Sequence, residues 1–142
     1  MREPGGEGRP ARSPGRRRLA WLLPALAYAG LIFWLSHQPN PLPQLTIDLS
    51  DKLLHAVEYA GLAGLLVLGL THVGTFGLRR AALLAILLAA TYGATDELHQ
   101  AFVPHRDASA LDWLADAVGA FVGGMVAVPF LRRWGSRASI RA

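Results

Sequence analysis

The chain has 142 residues, of which 52% are hydrophobic and 17% charged, and its mean hydropathy is +0.30. A water-soluble domain this small has no interior able to hide so much apolar surface, so the composition points to a bilayer as solvent. The net charge is +4, but the cations stand in short runs beside apolar segments. No basic stripe is interleaved with aromatics, which argues against nucleic acid as a partner. The absence of cysteine excludes disulfides, thiolate metal sites and cysteine nucleophiles.

Residues 1–18 are rich in Arg, Gly and Pro and have no apolar periodicity. They read as a disordered basic tail on the cytoplasmic side, with arginines suited to anionic lipid headgroups. The first apolar run, Leu19–Leu35, carries no charge; at 1.5 Å per residue it reaches roughly 26 Å, near the lower limit for a span. Arg16, Arg17 and Arg18 precede it as they would a signal peptide. No small-x-small cleavage site follows and further apolar segments do, so it reads as an uncleaved first helix. Residues 36–50, with Pro39, Pro41 and Pro43, form a polar connection that prolines keep extended.

The second span is expected over about Lys52–Val73, with His55 and Glu58 near its start and Gly61, Ala63 and Gly64 as a small face. A loop with Arg79 and Arg80 leads to the third, from Ala81 through Asp96, Glu97, His99 and Gln100 to about Phe102, where Pro104 stops it. The fourth runs over about Leu111–Leu131; it opens with Asp112 and Asp116 and continues with Gly119 and Gly123 at small-x-x-x-small spacing. Residues 132–142 form a second basic tail. The expected architecture is therefore all-α: an integral membrane four-helix bundle over residues 19–131.

Twelve of the fourteen basic residues fall in the two tails and the second loop. The positive-inside rule puts these in the cytoplasm, giving an N-in/C-in chain. Lys52 and Arg106 are left on the other side. Eight of the ten acids, and four of the five histidines, lie on that side too, in the outer loops or the outer ends of helices. Trp21, Trp34, Trp113 and Trp134 stand at span ends, as an aromatic belt requires.

Charges inside a bilayer cost at least ~2.5 kcal/mol near its centre, and must face a wet cavity or find partners. Helical spacing lets these converge. Asp51, His55 and Glu58 share a face of the second span. Tyr92, Asp96 and His99 share one face of the third, and Gly93, Glu97 and Gln100 the neighbouring one. Asp112, Asp116, Gly119 and Gly123 form one stripe on the fourth, where the glycines would press the helix on a neighbour and turn both aspartates inward. For any single residue a structural role competes evenly: a bond to a carbonyl for His55, pairing with Lys52 and Arg106 for Glu58 and Asp96, and a helix cap for Asp112. As a set they favour a site, because two cations do not neutralise this many acids.

Carboxylates and imidazoles suit hard or borderline divalent cations, so a divalent metal is the candidate cofactor, with His55, Glu58, Asp96 and His99 the candidate ligands. Acid–base work would fall to His55, Glu58, Asp96 or Glu97. Lys52 and Arg106 could instead grip a phosphate, with Gln100, Asp112 and Asp116 completing a ligand-binding set. These residues do not select a reaction.

Ser36-His37-Gln38, Asp51-Lys52-Leu53-Leu54-His55 with Tyr59, and Asp96-Glu97-Leu98-His99-Gln100 followed by Phe102-Val103-Pro104, Arg106, Ser109, Asp112, Gly119 and Gly123 resemble the VanZ-like family of bacterial membrane proteins. Asp116 departs from that pattern, which usually has Asn there. The resemblance implies a four-helix membrane fold, a place in the bacterial cytoplasmic membrane, and a family named for a protein linked to resistance to glycopeptide antibiotics, especially teicoplanin. It implies no defined biochemical activity.

Three functions compete. The first is a protein that binds or modifies a cell-envelope component at the outer leaflet, its partner a lipid-linked or peptide precursor; an enzyme of this kind would be a hydrolase or transferase. The second is a small transporter or channel, disfavoured by the apolar inner halves of the spans. The third is a structural membrane protein whose polar cluster only stabilises the bundle.

Overall fold

A computed structural model describes residues 14–38, 48–74 and 76–140; residues 1–13, 39–47, 75, 141 and 142, and with them most of the first basic tail and of the proline-rich connection, lie outside the described residues. Its elements, in order, are α1 (Pro14–Leu19), a 3-10 turn (Ala20–Leu22), α2 (Leu23–Ser36), α3 (Asp48–Val73), α4 (Leu78–Gln100) and α5 (Ala110–Ile140). Among the described residues every regular element is helical.

Local chemistry explains the boundaries. Pro14 occupies the first position of α1, where its missing N–H costs nothing, and three arginines follow. Helix thus begins inside the stretch that composition reads as tail. Pro24 cannot donate to the Ala20 carbonyl, and that carbonyl accepts from the Leu23 N–H instead. The chain tightens into a 3-10 turn before α2 resumes. Gly74, at φ +80°, supplies the left-handed residue that ends α3. At the far end α5 runs on to Ile140, so Arg132 and Arg133 ride on a helix rather than on a free tail.

Three stretches are long and apolar enough to cross a membrane: Ser50–Val73, Leu78–Gln100 and Ala110–Trp134. Ala20–Ser36 is a shorter apolar helix. The long helices run up, down and up, so α3 and α5 are parallel to one another. They share the most extensive contact, α4 packs against both, and α2 leans mainly on α3.

Side chains sort by size rather than by polarity along most of the bundle. Ala81, Ala82, Ala85 and Ala89 of α4 are buried, while Leu83, Leu87 and Leu88 point outward. Lipid is as apolar as leucine, so large chains gain nothing by facing inward, whereas small ones let backbones approach. The closest approach is the α3–α5 seam. A Cβ at Gly119 would overlap the Ala56 carbonyl, and one at Gly123 the Ala60 carbonyl. The expected glycine stripe therefore meets a small stripe on α3, at Ala56 and Ala60. Gly61, predicted to lie on that face, instead makes room for the Tyr28 hydroxyl.

Candidate functional site

The C-terminal ends of α2 and α4 and the N-terminal ends of α3 and α5 meet at one end of the bundle. Among the described residues, all the buried polar ones lie there: Ser36, His55, Asp96, Glu97, Gln100, Asp112 and Asp116. At the opposite end the interior is Val67, Leu70, Ala81, Ala82 and Ala85. Arg18, Arg79, Arg80, Arg132 and Arg133 are exposed at that opposite end.

The start of α5 organises the site. Ser109 is its N-cap, and the Ser109 hydroxyl accepts from the Asp112 N–H at 3.3 Å. In a local capping box the acid three residues on would reach back to the cap's own N–H. Here Glu97 of α4 does so, its Oε2 accepting from the Ser109 N–H at 2.6 Å. A carboxylate at a helix N-terminus is also favoured by the helix dipole. Asp112 is thereby released to pair with Lys52, Nζ to Oδ1 3.1 Å. The cap expected at Asp112 thus belongs to Ser109.

Asp116 lies one turn deeper and is fully buried. Gly93 makes the space: a Cβ there would sit 2.8 Å from Asp116 Oδ2. His55 Nδ1 stands 2.9 Å from Asp116 Oδ1 and 3.9 Å from Glu97 Oε1. One histidine from α3 is thus set between an acid of α4 and an acid of α5.

Asp96 is a different kind of residue. Its Oδ2 accepts from the Ser36 hydroxyl at 2.7 Å and from Gln100 Nε2 at 3.1 Å, joining α2 to α4. Arg106 donates from Nε to the Gln38 carbonyl at 3.2 Å, so the anticipated pairing of Glu58 and Asp96 with Lys52 and Arg106 does not form. Glu58 is half-buried further along α3. His99 turns toward α2, where it meets His37 at 3.2 Å and lies tilted against the Phe33 ring. The loop between α4 and α5 tucks Val103 under these ends and holds His105 at φ +64°, a left-handed conformation unusual for a residue with a side chain.

Two groups of side chains bring one potential ligand atom each within 4.8 Å of one another: His55, Glu97 and Asp116, and Asp51, His55 and Asp112. Of the four metal candidates read from sequence, His55 belongs to both groups, and Glu58, Asp96 and His99 to neither. Ser36 and Ser109 were legible only as motif letters; Ser109-x-x-Asp112 is the capping signature that would have revealed the second.

A family model described as VanZ/LLP1 matches residues 17–132. The chain belongs to the VanZ/LLP1 family. The match runs from within α1 through most of α5 and takes in every residue of the polar cluster. Membership and the apolar helices fit a membrane protein of undefined activity. No match was found among curated proteins or among solved structures. In this VanZ/LLP1 chain five buried polar atoms of the cluster and its floor have no hydrogen-bond partner: Tyr59 Oη, Asp96 Oδ1, Glu97 Oε1, Asp112 Oδ1, which has its ion pair with Lys52, and Asp116 Oδ2. Buried polar groups are nearly always satisfied, so these atoms set this end of the bundle apart.

Proposed function

We propose that this is a multi-pass protein of the bacterial cytoplasmic membrane, with both termini in the cytoplasm, whose polar end faces outward and binds a cell-envelope component at the outer leaflet. The unpartnered acceptors among His55, Glu97 and Asp116 carry this reading, since acceptors left over after the bundle is built are available to a ligand. The exposed arginines at the other end support the orientation. Lys52 and Arg106 stand at the rim, where they would meet the phosphate or carboxylate of a lipid-linked or peptide precursor. Such binding would connect the protein to glycopeptide susceptibility.

Orientation is tested in this cysteine-free chain by Asp107→Cys and Arg132→Cys. A membrane-impermeant maleimide should label the first in intact cells and not the second; the reverse would overturn the orientation. Binding is tested by titrating the full chain in nanodiscs with a lipid-linked muropeptide. Wild type should bind saturably, and Glu97→Gln and His55→Ala at least tenfold more weakly; no saturable binding would sink the reading.

One observation favours a structural reading for part of the cluster. Asp96 is committed to Ser36 and Gln100, and Asp112 to Lys52. These two acids hold helices together whatever His55, Glu97 and Asp116 do.

A further inference from the structure

We infer that His55, Glu97 and Asp116 form a binding site for one divalent first-row cation. The three side chains come from α3, α4 and α5, and their ligand atoms all lie within 4.8 Å of one another. His55 Nδ1 is already 2.9 Å from Asp116 Oδ1 and 3.9 Å from Glu97 Oε1. Ligand atoms sharing an ion at bond lengths of about 2.1 Å sit about 3.4 Å apart, so side-chain adjustments that change these separations by up to about 1.4 Å complete the set.

The second observation is independent of this clustering. Glu97 and Asp116 are 6% and 0% exposed, yet Glu97 Oε1 and Asp116 Oδ2 have no hydrogen-bond partner. Neither residue lacks a structural anchor: Glu97 Oε2 caps α5 and Asp116 Oδ1 meets His55. In each carboxylate one oxygen is fixed and the other has no hydrogen-bond partner.

Charge balance points the same way. Two buried carboxylates concentrate negative charge around one imidazole, and Lys52 is engaged with Asp112. A divalent ion cancels that charge where the acids already stand. Asp51, His55 and Asp112 make a weaker alternative, because Asp112 is committed to Lys52 and Asp51 is only half-buried.

The donors define the ion. One imidazole nitrogen with carboxylate oxygens, and no thiolate, suits Zn²⁺ or Mn²⁺ better than Ca²⁺, which takes six to eight oxygens. Three protein ligands leave further coordination positions to water or to a bound molecule. The tight seam at Gly119 and Gly123 and the contact of Gly93 on Asp116 hold the three backbones in register, so the site is pre-organised by packing. The assignment needs no envelope ligand and stands apart from the binding reading above.

The test uses the full chain, purified in detergent through a tag other than polyhistidine. Calorimetric titration with Zn²⁺ and Mn²⁺ should give one ion per chain. Asp116→Asn and Glu97→Gln, which keep side-chain size, should weaken binding about 100-fold or more, and Asp107→Asn in the exposed loop should leave it unchanged. Should a variant fail to fold, Co²⁺ added to wild type decides alone: ligand-field absorption distinct from aqueous Co²⁺ supports the site. No binding heat and an unshifted Co²⁺ spectrum in wild type, or equally tight binding in both isosteric variants, would overturn it.

Discussion

The two ends of the bundle are built on opposite principles. At the arginine-flanked end, Val67, Leu70, Ala81, Ala82 and Ala85 interlock without a polar atom. Cohesion there is dispersion between small side chains, and the helices have many nearly equivalent ways to slide. At the other end Ser36, His55, Asp96, Glu97, Gln100, Asp112 and Asp116 are buried, and hydrogen bonds join Ser36 and Gln100 to Asp96 and His55 to Asp116. Directional contacts there admit few alternatives, and a missing partner is expensive. One end supplies tight packing, and the other fixes the register and holds unspent chemistry. The α3–α5 seam serves both, because its glycines lie directly below Asp112 and Asp116.

Substitution separates the two contributions. The largest effect is expected in the seam: Gly123→Leu would drive a side chain into the Ala60 backbone. Unfolding by SDS titration, followed by circular dichroism, should show a loss of about 3 kcal/mol or more. Asp96→Ala should come next, at about 2 kcal/mol, because Ser36 and Gln100 lose a shared acceptor. Asp96→Asn should recover part of that loss in the same assay. At the apolar end Val67→Ala opens a cavity among residues that have no exposure to fill it, and roughly 1.5 kcal/mol should be lost with ion binding intact. Lys52→Met removes a partly exposed ion pair and should cost 1 kcal/mol or less, on the order of other such pairs. The smallest change is expected at Leu87→Ala on the outer face, within about 0.5 kcal/mol. A large loss at Leu87 and a small one at Gly123 would invert the comparison.

Much of this is written in the sequence. Apolar run lengths mark the helices, and the series Asp112, Asp116, Gly119 and Gly123 marks a packed stripe, with the first three buried and Gly123 against Ala60. The convergence of acids and histidines at one end follows from helices that alternate in direction. Partner choice is less legible, because it depends on rotamers and on helix rotation. Glu97 and Asp96 are neighbours in sequence and equally buried, yet one caps α5 and the other binds α2. His99 is a turn away from its predicted companions in chemistry, since α2 offers it Phe33 and His37. The small face of α3 proves to be Ala56 and Ala60 rather than the run at Gly61 to Gly64, because periodicity gives the angle between residues and not the direction of the neighbour. Helix at Pro14–Leu19 and beyond Leu131 was hidden by charge, which signals a tail by composition although arginine is a good helix former.

The parallel seam also has a consequence for biogenesis. Its two partners are separated in the chain by α4, so α3 is synthesised and inserted well before α5 exists. Until then His55 and Glu58 enter the membrane without the aspartates that will face them, and Ala56 and Ala60 present a bare strip of backbone. His55 and Glu58 both stand in the N-terminal half of α3 rather than at its middle. The arrival of α5 then supplies the partners that close the polar end and the seam.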